Sequence, residues 1–290
     1  VFDNPVGTAP GCAFQEGGVH VLMLPGPPFE CRYMFDNRAR QYLEKLTDGV
    51  IVSHEIKIFG MGESSVEEAL REPMTRLTNP TLAPYAKLNE CMVRATAKAE
   101  TREAAEALLK PLVAQVLETL GDVVYGVDVE SLEQVVSAAL LERGLTLSAA
   151  ESCTGGLIAK RMTDLPGASK VFRGGVVSYT NGVKSGILGV PEALLEEQGA
   201  VSEPVARVMA EGCRRVCGSD LAVSVTGVAG PESDDRGNEV GTVYIALASD
   251  QGTICRKLSC GKGRGRERVR SAAAQNAFDM LRRTLLGLPL

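Results

Sequence analysis

The chain has 290 residues, a formal net charge of −5 and a pI near 5.3. That length supports two or three domains with real apolar cores. The acidic balance argues against a binder of nucleic acid or another polyanion, because neutralising phosphates takes clustered Lys and Arg. Eight cysteines form no Cys-x-x-Cys pair and the only histidines are His20 and His54, which argues against a structural zinc site and a disulfide framework. With no signal peptide and no apolar run approaching about 18 residues, a soluble cytoplasmic protein with reduced thiols is expected.

The chain begins at Val1, not Met, inside what reads as the middle of a domain, so a preceding segment is expected. A turn-rich opening leads to the strand-like Val19-His20-Val21-Leu22-Met23-Leu24. Pro25-Gly26-Pro27-Pro28 stops that strand, and a helix from about Phe29 to Leu46 follows. A rigid loop after a strand suits the ligand edge of an open α/β sheet, and it equally suits a plain strand-to-helix turn. Next come a strand from Gly49 to Phe59, a helix from Ser64 to about Met74, a strand from Met92 to Ala99 and an amphipathic helix from Thr101 to Leu120, which Gly121 stops. This is the pattern of a small α+β unit.

A new domain starts at Asp128. Leu132, Val135, Val136, Ala139 and Leu140 form a helical apolar stripe ending at Gly144. The stretch LTLSAAESCTGG, Leu145 to Gly156, then reads as a short buried strand running into the helix LIAKRMTDL, with Ser152 at the junction. A strand from Gly174 to Tyr179 follows, then a turn holding Asn181 to Lys184. A helix capped by Ser202 ends at Gly218, and Leu221 to Val225 is strand-like. TGVAGP is a Gly-rich loop, Thr242 to Ala248 and Thr253 to Leu258 read as a hairpin, and the basic loop GKGRGRERVR enters the C-terminal helix.

Ser152 sits where a nucleophilic serine would be useful. The free N–H groups and positive dipole end of the following helix favour an oxyanion or phosphate there, and Gly155 and Gly156 let a ligand approach the backbone. An N-cap serine in a tight turn would leave the same trace. Neither histidine lies in this domain, so a Ser-His-Asp triad within it is excluded. A Ser-Lys arrangement remains, with Lys184 as a lysine whose pKa burial lowers and Tyr179 as a proton relay. Cys153 is a rival nucleophile by chemistry, or a small packed residue. If the loops SCTGG, TGVAGP and GKGRGRER converge at one sheet edge, they would hold a phosphorylated small molecule. Backbone donors would come from Thr226 and Gly227 and a guanidinium from Arg264, Arg266 or Arg270. The basic run alone would equally suit a solvated face.

AAESCTGG, SYTNGVK, GAVSEPVA and SVTGVAGP, in this order, resemble the C-terminal nicotinamide mononucleotide deamidase domain of the competence-damage-inducible CinA family. The front of the chain, with DNPVGTAPG and LPGPP, looks like the second half of the family's molybdopterin-binding-like N-terminal domain. The resemblance implies an α/β chain of three parts. Residues 1–47 would be the end of that N-terminal domain, 48–127 a small α+β domain, and 128–290 a three-layer α/β deamidase domain.

It further implies hydrolysis of nicotinamide mononucleotide to nicotinic acid mononucleotide and ammonia, in pyridine nucleotide salvage. Ser152 would be the nucleophile and Tyr179 and Lys184 its proton-handling partners, while Thr154, Gly155, Gly156, Thr226, Gly227 and Arg266 would lie at the substrate. No cofactor is needed for that route. The metal-dependent ADP-ribose pyrophosphatase activity associated with the family's N-terminal domain is expected to be lost, because the segment before Val1 would carry the first part of its site. The expected partner is a small-molecule nucleotide, with neither nucleic acid nor membrane, and the resemblance suggests a homodimer. Two competing readings are a non-catalytic nucleotide-binding or regulatory module, and a different serine amidase or acyl-transfer enzyme on a similar loop frame.

Overall fold

The structure is a computed structural model and describes residues 1–87, 89–261, 263 and 265–290. Two compact units make up the chain, Val1–Ser53 with Thr96–Pro111, and His54–Ala95 with Leu112–Leu290.

In the first unit, β1 (Cys12–Glu16) and β2 (Val19–Met23) pair as an antiparallel hairpin with Glu16 opposite Val19. Its two-residue turn has Gly17 at φ 57° and Gly18 at φ 82°. Both positive angles match the strand twist and suit residues without a Cβ. β1 lies in the stretch whose sequence suggests only turns, since five residues ending in Gln15-Glu16 give too short an alternation to mark a strand. After the proline run, α1 (Pro28–Met34) continues through a π-helical segment, Phe35–Ala39, into α2 (Arg40–Glu44). Met34 and Ala39 are fully buried. The Tyr42 hydroxyl meets His20 Nδ1 at 2.7 Å.

A four-stranded sheet runs in the order β4 (Thr81–Lys87), β5 (Glu90–Ala99), β3 (Val50–Ile58), β6 (Val124–Val127). Its outer strands are the two without a sequence signal. β4 carries Pro84, which an edge strand tolerates, and β6 is four residues long. The single helix expected over Ser64 to Met74 is two, α3 (Glu63–Ala69) and α4 (Arg71–Arg76), because Pro73 sits in the first turn of α4 and cannot donate back across the junction. α5 (Arg102–Leu120) follows the predicted span.

The larger sheet has five strands in the order β11 (Gly252–Ser259), β10 (Thr242–Ser249), β9 (Leu221–Gly227), β7 (Leu147–Glu151), β8 (Phe172–Val177). β7 is parallel to β8 and β9, whereas β10 is antiparallel to both β9 and β11. Hence β7, β8, β9 and β11 all point the same way. The loops that follow them, including SCTGG and TGVAGP, leave at one edge, where β11 also ends, the usual ligand edge of an open α/β sheet.

Helices cover both faces. Leu147 and Ala149 pack in one core with α6 (Leu132–Arg143), α7 (Leu157–Thr163) and α11 (Arg266–Leu286). Ala150 packs on the other side with α9 (Glu192–Gln198) and α10 (Glu203–Cys217). This alternation along one strand makes the three layers. It also turns Glu151 toward the α7 side, in phase with Leu147 and Ala149. Burying a leucine such as Leu147 or Leu140 contributes about 1.5–3 kcal/mol each.

The stop of α6 is as expected: Gly144 is left-handed at φ 64°, and at the other end Ser131 Oγ accepts from Gln134 N at 3.3 Å. Ser202 occupies the N-cap position of α10 but its hydroxyl donates instead to Gly199 O, so it is a cap by place and not by side chain. Lys184, expected in a turn, is inside the short helix α8 (Asn181–Gly186) and is buried there. Among the described residues no helix is long and apolar enough to cross a membrane.

Candidate active site

The site is built where β7 ends. Ser152 is the first residue past the strand, and its N–H still reaches Val225 O of β9 at 2.9 Å. The chain then turns through Cys153, Thr154, Gly155 and Gly156 into α7. Gly155 and Gly156 have φ of 60° and 93°, a left-handed pair that side chains disfavour.

Lys184 meets Ser152 from α8. Its Nζ is 3.1 Å from Ser152 Oγ and donates to Ser178 O at 2.7 Å. The side chain is 1% exposed. Burial without a carboxylate partner disfavours the ammonium, bringing the lysine from its ordinary 10.5 down to about 8, with the nearby Cys153 opposing slightly. A near-neutral amine in contact with a hydroxyl is the arrangement a serine needs for activation. Burial acts on the Cys153 thiol in the opposite sense, pushing it up to about 12. A packed thiol raised in this way is a poor thiolate, which favours Ser152 over it as the nucleophile.

The helix start is not free. Glu151 is buried, and its carboxylate accepts from Gly156 N at 3.0 Å, Ile158 N at 3.0 Å and Ala159 N at 2.8 Å. The expectation that these N–H groups await a ligand is corrected: a charged side chain of the same chain occupies them. Gly155 N donates to Ser152 O at 3.1 Å. The N–H groups of Cys153 and Thr154 pair with no other backbone group among the described residues, and Cys153 N–H lies against its own thiol. The carbonyls of those same residues are held by Arg270 of α11, Nε to Cys153 O at 3.1 Å and Nη2 to Thr154 O at 2.7 Å. Thr154 is wholly buried, and its Oγ1, like Ser178 Oγ, is without a partner.

Tyr179 is turned the other way from Ser178 and is exposed. Its hydroxyl meets Arg266 Nη2 at 2.6 Å, and Arg266 Nη1 donates to Gly230 O at 2.9 Å. The structure thus joins Tyr179 to Arg266, and Ser152 to Lys184, as two separate pairs. Arg264 lies outside the described residues. Thr226 is buried with its Oγ1 on Ala200 O at 2.7 Å, and Gly227 stands opposite Val243 in the sheet ladder. A Cβ on Gly227 would come within 2.8 Å of Thr242 O, so close strand packing alone accounts for the glycine. Beside Arg266 opens a cleft of about 760 Å³, lined among others by Gly230, Ser233, Glu239, Val240 and Gly265. That volume is within the range of small-molecule sites. Among the described residues no group of three or more His, Cys, Asp or Glu side chains could hold a metal ion, and no step below runs through one.

Sequence reasoning did not single out Glu151, nor the clamp made by Arg270. The signal for Glu151 was an acidic residue five positions ahead of the first helical N–H it caps. Arg270 is one of the three arginines offered as a phosphate-binding guanidinium, but its hold on the loop carbonyls carried no signal, because that contact spans 117 positions.

A mixed sheet between two helical layers, with a serine and a buried lysine meeting at the strands' C-terminal edge, defines an α/β protein with a serine–lysine site. The CinA C-terminal domain family matches residues 129–285, and the damage-inducible protein CinA KH domain matches residues 53–126. The chain belongs to the CinA family. It is 48% identical to a CinA-like protein of Desulfovibrio desulfuricans over 291 residues, covering 100% of this chain and 68% of the relative. It is 43% identical over 288 residues to a CinA-like protein of Kosmotoga olearia, covering 99% of this chain and 69% of that one. The crystal structure of the competence/damage inducible protein CihA from Agrobacterium tumefaciens has 37% identity and a TM-score of 0.51, covering 53% of this chain and 93% of that one.

Proposed function

We propose that the chain is an amidohydrolase that converts nicotinamide mononucleotide and water to nicotinic acid mononucleotide and ammonia. The observation that carries this reading is the 3.1 Å contact between Ser152 Oγ and a buried lysine whose pKa is about 8. Neutral Lys184 takes the hydroxyl proton as Ser152 Oγ bonds to the amide carbonyl carbon. The tetrahedral oxygen lies against the N–H groups of Cys153 and Thr154, each donor of this kind being worth about 3 kcal/mol. Lys184 returns the proton to the departing nitrogen, the C–N bond breaks and ammonia leaves. Water then cleaves the serine ester and releases the acid.

The nucleotide occupies the cleft beside Arg266, where a guanidinium suits a phosphate. Tyr179 and Arg266 act as one unit at that end and Thr154, Gly155 and Gly156 at the other, while Thr226 and Gly227 shape the wall between. No cofactor enters the reaction. The reading includes the three-part division at 47/48 and 127/128, a cytoplasmic setting and a homodimer. Nucleic acid is not a partner in it: KH modules clamp nucleotides with a Gly-x-x-Gly loop, and that pattern does not occur in residues 53–126. Incubation with nicotinamide mononucleotide and assay of ammonia tests the proposal; absence of ammonia at pH 8 to 9 contradicts it.

A further inference from the structure

We propose that Arg270 is a positioning residue that aims the oxyanion donors of the Ser152 loop, an inference that rests on the serine-hydrolase reading above. The loop has two sets of backbone groups. Its later N–H groups, from Gly156, Ile158 and Ala159, are bound by the Glu151 carboxylate. The carbonyls of Cys153 and Thr154 are bound by the two arms of the Arg270 guanidinium.

Across a planar trans peptide, the C=O of one residue and the N–H of the next point in opposite directions. Holding Cys153 O on Arg270 therefore turns Thr154 N–H away from α11. Gly155 N–H bends back to Ser152 O at 3.1 Å, and that carbonyl in turn fixes the opposite direction for Cys153 N–H. The two N–H groups that pair with no other backbone group are the ones whose directions these contacts set.

The shape of the guanidinium matters. Its fork reaches two successive carbonyls at once, which an ammonium on a flexible stem does not reproduce. Gly155 belongs to the same device: a Cβ there would stand 3.4 Å from Arg270 Nη2, in a backbone conformation side chains rarely adopt. Arg270 is thus set apart from Arg266, which faces the cleft and carries Tyr179. Arg266 meets ligand, whereas Arg270 acts through the loop.

The test uses a fluorophosphonate on the full chain. Ser152 Oγ bonds to phosphorus, the P–F bond breaks, fluoride leaves and Lys184 takes the proton, so labelling needs the nucleophile and its oxyanion donors but no nucleotide. Labelling and steady-state kinetics on nicotinamide mononucleotide are compared for wild type, Arg270→Lys and Arg270→Ala, the last with and without added guanidinium. The expected result is labelling about 10–100-fold slower in Arg270→Ala, with kcat falling in parallel and KM little changed. Arg270→Lys falls between, and guanidinium restores part of the lost rate. An unchanged labelling rate in either variant, or a raised KM with kcat intact, overturns the proposal, as does a wild type that is not labelled. If Arg270→Ala does not fold, the kcat-against-KM split of Arg270→Lys decides. A wild type labelled at Ser152 that releases no ammonia contradicts the deamidase reading and leaves the labelling comparison standing.

Discussion

Lys184 Nζ stands 3.1 Å from Ser152 Oγ and donates to the carbonyl of Ser178 at 2.7 Å, with no carboxylate paired to the lysine among the described residues. The contact joins α8 to the end of β7 across 32 positions of sequence. An amine so placed is poised between its two protonation states. Activity is therefore expected to rise with pH through a midpoint near 8, the lysine serving as base only when neutral. A pH profile of kcat/KM checks this. A flat profile between pH 6 and 10 is the result at odds with it.

The same lysine shapes stability. Its pKa is lower folded than unfolded, so between about 8 and 10.5 the unfolded chain binds more protons, and stability rises with pH across that window. Below about 8 the cost of burying the ammonium is fully present; above 10.5 it is gone. Lys184→Met removes that cost, so its stability relative to wild type is greatest at neutral pH and declines by up to about 3 kcal/mol toward pH 11. Paired denaturation curves at pH 7 and pH 10 measure the difference. A constant gap would show that Lys184 keeps its proton up to pH 10, its pKa no lower in the folded chain than in the unfolded one.

Glu151 ties the loop to α7 with three hydrogen bonds from inside the core. Glu151→Gln keeps the shape but brings an NH2 group against an N–H donor. The fold is expected to lose about 1–3 kcal/mol. Urea unfolding of the variant gives the value, and a loss under about 0.5 kcal/mol, the range of ordinary surface substitutions, would mean that water replaces the carboxylate at no cost.

Cys153 sits next to the nucleophile with a thiol that burial pushes up to about 12. Cys153→Ala is expected to retain most of the wild-type turnover, and iodoacetamide at pH 7.5 is expected to leave wild-type activity in place. Inactivation by alkylation at Cys153, together with a dead Cys153→Ala, would move the nucleophile one residue along.

The parts legible in the sequence were those written in local pattern. The apolar stripe of α6 with its glycine stop, the strand and helix either side of Ser152, and the hairpin of β10 and β11 all announce themselves within windows of a few residues. β4 and β6 do not, because an edge strand with a proline and a strand of four residues gain their form from the neighbours they pair with. The Ser152 loop itself followed from Thr154-Gly155-Gly156, yet the fate of its N–H groups did not. Which side chain fills a helix start depends on which face of β7 Glu151 takes, and that is settled by the layers on either side of the sheet. The coupling of Tyr179 to Arg266 spans 87 positions and is likewise a product of strand order.

The most direct measurement is ammonia release from nicotinamide mononucleotide by wild type and by Ser152→Ala at pH 8.5, with nucleotide binding followed in both. The account predicts turnover by the wild type, none by the variant, and binding of similar strength in each. Equal ammonia release from both proteins would remove Ser152 from the chemistry and contradict the account.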